Sequence, residues 1–478
     1  MGAPNHVQSK PAGTQWKPLI IVILIGLGIW FTPHPEGVAE DAWHLLAIFV
    51  ATIAGIILKP LPMGAVALSA LGVTAATKTL PVDVVFAGFA NSQIWLIVIA
   101  CFIARGFIKT GLAGRISYLF LNVFGKSPFG LAYGFIASDL VMAPVIPSST
   151  ARAGGVLMPI IKALSGTLGS HPDDGTAHRI GSFLALATYQ ATVITSTMFV
   201  TAMAPNPIIV RLAQDAGVEI SWLLWAKAAI VPGLLCLAVI PFVTSWLCPP
   251  TLRDVSDAAA HAKDRLAEMG KMSQQEWMMS LCFVALLVMW IGGSAIGLNP
   301  TVAAILGVAF LMITNVLSWK DIIGEEIAWD TLVWFAVLVM MAGNLNALGF
   351  IGWLSDQIVL QVNGFHWMAA LAVLGLLYFY SHYLFASITA HVTSMFASFM
   401  MVCVAVGGPP LLVALALAYL SGLMGGLTHY SSGQAPVIFS YRYVDLKQWW
   451  LVGFVLSIVY LLIWVSVGSL WWSWLGIW

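Results

Sequence analysis

Apolar runs long enough to cross a bilayer recur along the 478 residues, and polar residues gather between them. A hydrocarbon core takes about 20 helical residues. That length predicts helices at about 18–32, 42–58, 62–77, 92–110, 180–203, 222–248, 277–297, 300–318, 329–350, 410–428 and 448–476. Two longer apolar stretches, about 128–165 and 365–406, carry a polar break in the middle. Read as re-entrant helical hairpins, each returns to the side from which it entered. The expected fold class is an all-α polytopic membrane protein, with about 11 transmembrane helices plus the two hairpins.

Composition agrees, at 60% hydrophobic and 8% charged against roughly 25% charged in soluble domains. Formal net charge is zero and like charges form no run, so the lipid bilayer is the expected environment and no nucleic acid partner is expected. The five cysteines are scattered through apolar segments and read as small hydrophobes. Without metal-ligand spacing or a phosphate loop, neither a metal, a cofactor nor ATP-driven pumping is expected.

Threading the chain from a cytoplasmic N-terminus puts sixteen cations at cytoplasmic ends: Lys10, Lys17, Lys59, Arg105, Lys109, Arg115, Lys126, Lys162, Arg179, Arg253, Lys263, Arg265, Lys271, Lys320, Arg442 and Lys447. Lys78, Arg211 and Lys227 fall on the other side. This bias supports that orientation in the cell (inner) membrane, with the C-terminus outside. A weak cleavage match at Gly37-Val38-Ala39 leaves a removed signal peptide as the alternative for the first helix. Arg152 is left over, inside the first hairpin's break, where a charge is expensive unless it has a partner or a task.

The two breaks match. Ser148-Ser149-Thr150-Ala151-Arg152 and Ser387-Ile388-Thr389-Ala390-His391 are both S-x-T-A followed by a basic residue, offset by 239 positions. Trp95 to Gly111 resembles Val333 to Gly349 at nearly the same offset. Five crossings separate the copies, an odd number, so the repeats are inverted, as in secondary transporters that bind substrate where broken helices meet. Two further breaks, Met203-Ala204-Pro205-Asn206-Pro207 and Gly425 to Gly433, follow the first and second hairpins. Freed backbone groups at membrane depth are tolerated where they line a cavity or are buried in protein, so four breaks imply one central polar cavity.

Each hairpin tip offers hydroxyls, the amides of a helix N-terminus and a basic side chain, a set that suits carboxylates. Two facing tips suit a small dicarboxylate. The candidate contacts are Ser148, Ser149, Thr150, Arg152, Ser387, Thr389, His391, Met203, Asn206 and Thr428. A membrane serine or threonine usually bonds back to its own turn, and a lone buried histidine is usually core. The duplicated placement is what argues against those readings here, and Asp139, His382 and His429 lack it; Asp139, about two turns before the first tip, reads as an offset to nearby positive charge. The tryptophans Trp449-Trp450, Trp471-Trp472, Trp474 and Trp478 read as interfacial belts, and the charged stretch 251–276 as a cytoplasmic linker.

The whole chain resembles the divalent anion/sodium symporter family, and within it the exchanger branch of plastidic 2-oxoglutarate/malate translocators and bacterial citrate or tartrate/succinate antiporters. The resemblance rests on Trp95 with Phe102 to Leu112, Pro147 to Gly155, Ser381 to His391, and Gly425 to Tyr430. It implies a homodimer with a static scaffold and an elevator-type moving part. The implied division is 1–127 and 277–364 as scaffold, 128–248 and 365–478 as transport parts, and 249–276 as linker. The family's tip signature is Ser-Asn-Thr, which contacts substrate carboxylates and, in its symporters, helps coordinate sodium. Ser149 and Ile388 replace the two asparagines here, and Ile388 has nothing with which to coordinate a cation.

A fixed Arg152 leads to the same expectation by a separate route: an empty site that keeps its cation returns poorly across the bilayer, so exchange replaces symport. His391, when protonated, would share that role. The alternatives are a sodium-coupled dicarboxylate or citrate symporter, a uniport or channel, and, remotely, a membrane-embedded hydrolase. A serine hydrolase needs a base and a group that orients it, yet no acidic residue occurs between Asp356 and Asp445.

Overall fold

The computed structural model describes residues 14–354, 357 and 366–478. The first polar residues with Lys10, the stretch 358–365 and the expected start of the second hairpin at 365 lie outside the described residues. Among the described residues the fold is all-helical, and each of the apolar stretches read from the sequence carries a helix. Among the described residues seven helices are long and apolar enough to cross a membrane: Glu40–Leu58, Trp222–Leu247, Gln274–Gly292, Glu326–Ala347, Trp367–Leu384, Ile388–Ala405 and Leu446–Trp474. Val82–Ala90 with Ile94–Thr110 makes an eighth if that bent pair is one span. By length alone, both arms of the second hairpin qualify.

Local chemistry places the helix ends. Ser127 accepts from the Gly130 amide at 3.0 Å ahead of Pro128 in the first turn, and Asp445 accepts from the Gln448 amide at 2.7 Å. Such caps satisfy amides that a helix start leaves without partners. Gly111 and Gly349, paired by the sequence repeat, both close their helices with positive φ, at 78° and 82°.

The chain divides into two compact units. Residues up to Asn91 together with Asp330–Trp353 form one, in which Asp330 accepts from the Gly64 amide at 3.2 Å and Trp353 donates to the Glu36 carbonyl at 3.1 Å. Ser92–Trp329 with Leu354–Trp478 form the other, which contains both hairpins and both interrupted helices. At its centre runs Gly181–Met198, buried along its whole length against Pro128–Met142, Trp222–Leu247 and Pro410–Leu423. The packing is crosswise. Pro205–Asp215, after the first interruption, packs on the second hairpin's arm Ile388–Ala405. Gln434–Phe439, after the second, packs on the first hairpin's turn Ala151–Leu157.

The elements not foreseen include two longer helices. Leu112–Phe124 is a helix, and the expected linker contains a helix, Ser256–Met269, packed on it. The first, 13 residues long, is too short for a search at bilayer length, and the second is too charged for a search for apolar runs. Arg115 joins them to the next span: it pairs with Glu276 at 2.5 and 3.2 Å and donates to the carbonyls of Met269 and Gly270. Glu276→Gln, which keeps the shape and loses the charge, is expected to cost about 1.5–3 kcal/mol, the worth of a hydrogen bond to a charged group, measured by thermal unfolding in detergent. The tryptophan reading needs a correction as well. Trp474 is exposed, but Trp449 is fully buried against Tyr189, with ring centroids 4.5 Å apart. It is a core wedge and not an interfacial anchor.

Candidate functional site

The two tips share one geometry. In the first, Ser148 Oγ accepts from the Ala151 amide at 3.1 Å and the Ser148 carbonyl from the Arg152 amide at 3.0 Å. In the second, Ser387 Oγ accepts from the Ala390 amide at 3.3 Å and the Ser387 carbonyl from the His391 amide at 3.1 Å. Each serine is a helix cap whose own hydroxyl hydrogen stays uncommitted among the described residues. The next two amides, at Ser149 and Thr150 or at Ile388 and Thr389, belong to a first turn that has no intrahelical acceptor for them. Ser148, Ser149, Thr150, Ser387 and Thr389 are half-buried, so these donors are within reach of a ligand.

The segment Gly425 to Gly433 runs beneath both tips. A side chain at Gly425 would meet Ile388 Cδ1 at 2.8 Å, and one at Gly433 would meet Thr150 Oγ1 at 2.6 Å. Close approach, not turn geometry, favours glycine at these two positions. Several freed carbonyls of this segment have partners. Tyr189 donates to Gly425 O at 2.6 Å, Gln190 to Gly426 O at 3.0 Å, and Ser431 to Thr428 O at 2.9 Å. At the first interruption, Asn206 Nδ2 donates to the carbonyls of Ser196 and Phe199, both at 2.8 Å, while its buried Oδ1 has no partner among the described residues.

Arg152 is not the open anion fork expected from the sequence. It is fully buried, with its Nε 2.8 Å from Asp139 Oδ1. Its remaining donors go to the carbonyls of Ile146 at 2.5 Å and Ala202 at 2.8 Å, and to Ser196 Oγ at 2.7 Å. Asp139 also accepts from Thr195. The guanidinium therefore ties the hairpin's two arms to the first interrupted helix, and its charge is already matched. The expectation of an uncompensated cation in the empty site is corrected accordingly.

His391 does the equivalent work in the second copy. Its Nδ1 lies 3.0 Å from His382 Nδ1, and His382 Nε2 reaches the Ser431 carbonyl at 2.8 Å. Both rings are fully buried. Neither imidazole has a carboxylate partner among the described residues, so no hydrolase triad forms. His429 accepts from Trp450 Nε1 at 3.1 Å. No hydrogen bond joins Met203 or Thr428 to a tip among the described residues: the Met203 carbonyl accepts from the Asn206 amide, and Thr428 Oγ1 from the Tyr430 amide.

One residue beside the first tip went unnoticed in the sequence. Gln434 Oε1 accepts from Ser149 Oγ at 2.7 Å. A neutral amide in a glycine-rich segment carries no pattern that singles it out.

Residues 13–478 match the family profile described as the sodium:sulfate symporter transmembrane region. YflS of Bacillus subtilis, proposed by its name to carry malate, is 51% identical over 98% of both chains. The chloroplastic dicarboxylate transporter 1 of Arabidopsis thaliana is 48% identical over 98% of this chain and 86% of its own. In fold, the chain is similar to the crystal structure of the YdaH transporter of Alcanivorax borkumensis, with a TM-score of 0.57 at 14% identity, covering 92% of this chain and 98% of that one. A match across almost the entire sequence, with half of the residues identical to a relative of equal extent, means that the chain belongs to the sodium:sulfate symporter family of membrane transporters.

Proposed function

We propose that the protein carries small dicarboxylates of the 2-oxoglutarate, malate and succinate class, exchanging one for another without sodium. The observation that carries this reading is the matched pair of tips, each with a capping serine, uncommitted hydroxyls and first-turn amides. Paired donor clusters answer a ligand with a carboxylate at each end. The names of the two relatives, malate and dicarboxylate, point the same way. Sodium independence is supported by Ile388, whose side chain packs toward Gly425 and brings no oxygen to the second tip.

Exchange no longer rests on Arg152. A bound diacid satisfies the uncommitted donors, whereas an empty site must shed the water on them to cross, at about 1–3 kcal/mol for each group so buried. Crossing empty is therefore the costly step. On this reading the hairpins are re-entrant, eleven helices cross, the halves are inverted repeats, and the hairpin-bearing parts 128–248 and 365–478 move against a dimeric scaffold. The N-terminus is cytoplasmic in the inner membrane.

Proteoliposomes test this directly. Labelled malate should enter vesicles loaded with malate or 2-oxoglutarate, hardly enter empty ones, and enter equally in sodium, potassium or choline. Rapid sodium-dependent uptake into empty vesicles would replace exchange with symport. Failure of every diacid to compete would remove the dicarboxylate assignment itself.

A further inference from the structure

Gln434 is 2% exposed, opens the helix Gln434–Phe439 and sits beside the first tip. Its Oε1 is held by Ser149 Oγ at 2.7 Å, and the adjacent Gly433 faces Thr150. With the oxygen committed, the orientation of the amide is set, and its Nε2 group makes no hydrogen bond among the described residues. An NH2 with no protein acceptor is free to donate to a ligand. It sits next to the hydroxyls that, on the dicarboxylate reading, receive one carboxylate. We propose that Gln434 is a specificity-determining residue that donates to an oxygen on carbon 2 of the substrate, so that 2-oxo and 2-hydroxy dicarboxylates are preferred over their unsubstituted counterparts.

The chemistry fits that division of labour. Carboxylates are charged acceptors, and the hydroxyls and first-turn amides of the tips serve them. A carboxamide NH2 is a neutral donor that cannot accept, which suits the acceptor-only oxygen of a 2-oxo acid and also the lone pairs of a 2-hydroxyl. Ser149 gains a role from the same contact. By donating to Oε1 it keeps the amide turned with its nitrogen toward the ligand, which makes Ser149 a positioning residue.

This inference rests on the proposed dicarboxylate site, and the experiment separates the two. The probes are 2-oxoglutarate and glutarate, identical in length and different only in the keto oxygen. Dissociation constants are measured by calorimetric titration of the purified, detergent-solubilised full chain. The wild type should favour 2-oxoglutarate by about 2- to 12-fold, the worth of one neutral hydrogen bond, and Gln434→Met should bring that ratio to about one. A ratio that stays at the wild-type value in Gln434→Met, or a wild type that binds both acids equally, overturns the inference while leaving the dicarboxylate site standing. A wild type that binds neither acid overturns both. If Gln434→Met does not give a monodisperse protein, Gln434→Glu serves, because it keeps the acceptor for Ser149 and replaces the donor with a charge. It should weaken 2-oxoglutarate more than glutarate, and equal weakening of the two counts against the inference.

Discussion

Replacing Arg152 by alanine is expected to cost about 3–5 kcal/mol of folding stability, because removing one partner of a buried pair leaves a bare charge behind. The charge in question is Asp139, which is fully buried and would keep only Thr195 of its side-chain partners. The carbonyls of Ile146 and Ala202 would lose their donor in the same step. The expected readout is a lowered melting temperature and a smaller monodisperse peak in size-exclusion chromatography, with ligand binding lost along with the fold. The double variant Asp139→Leu with Arg152→Met should recover much of the loss, since apolar replacement of a whole buried pair is often neutral. An Arg152→Ala protein with wild-type melting that has nevertheless lost its dicarboxylate-induced shift would restore the guanidinium as a direct ligand contact.

Gly453→Val is expected to have the other large effect. Gly453 lies on Leu446–Ile463, where a Cβ would stand 2.5 Å from the Leu427 carbonyl oxygen and 2.6 Å from that of Gly426. Those atoms are backbone and have no rotamer in which to move aside. Overpacking of this kind costs about 1–3 kcal/mol, and valine adds two methyls beyond the Cβ. The segment beneath both tips must shift, so the stabilisation by added malate should disappear as well. Gly155→Ala is the control, because a Cβ there meets nothing within 4 Å. If Gly453→Val melts and responds to malate as the control does, Gly425 to Gly433 is not a rigid support for the tips.

Much of the architecture could be read from the sequence because bilayer-length apolar runs and their interruptions are local patterns. The S-x-T-A repeat was legible for the same reason, and the structure gives both copies the same capping geometry. Asp139 could be read as an offset to nearby positive charge, but not as the partner of Arg152 in particular. Asp139 lies thirteen residues away on the opposite arm, and only the folded hairpin decides that the two face each other. A basic residue beside a tip looks alike whether it points at a ligand or at a carboxylate beneath. The helix Leu112–Phe124 was missed because its 13 residues fall short of bilayer length, and its one charge, Arg115, finds its carboxylate 161 positions further along the chain. Gln434 acquires meaning from Ser149, which is 285 positions distant.

The segment from Gly425 to Gly433 touches one tip near its start and the other near its end, and Tyr189, Gln190 and Ser431 hold it by its own carbonyls. In the proposed site it therefore acts as a ruler. The distance between the two carboxylate seats is set by residues that need not contact a ligand at all. A diacid shorter than this gauge engages one end and forfeits the other, and a longer one must bend to fit. Discrimination by chain length is then a property of the ruler, adjustable through its ties without altering a single group that the cargo meets.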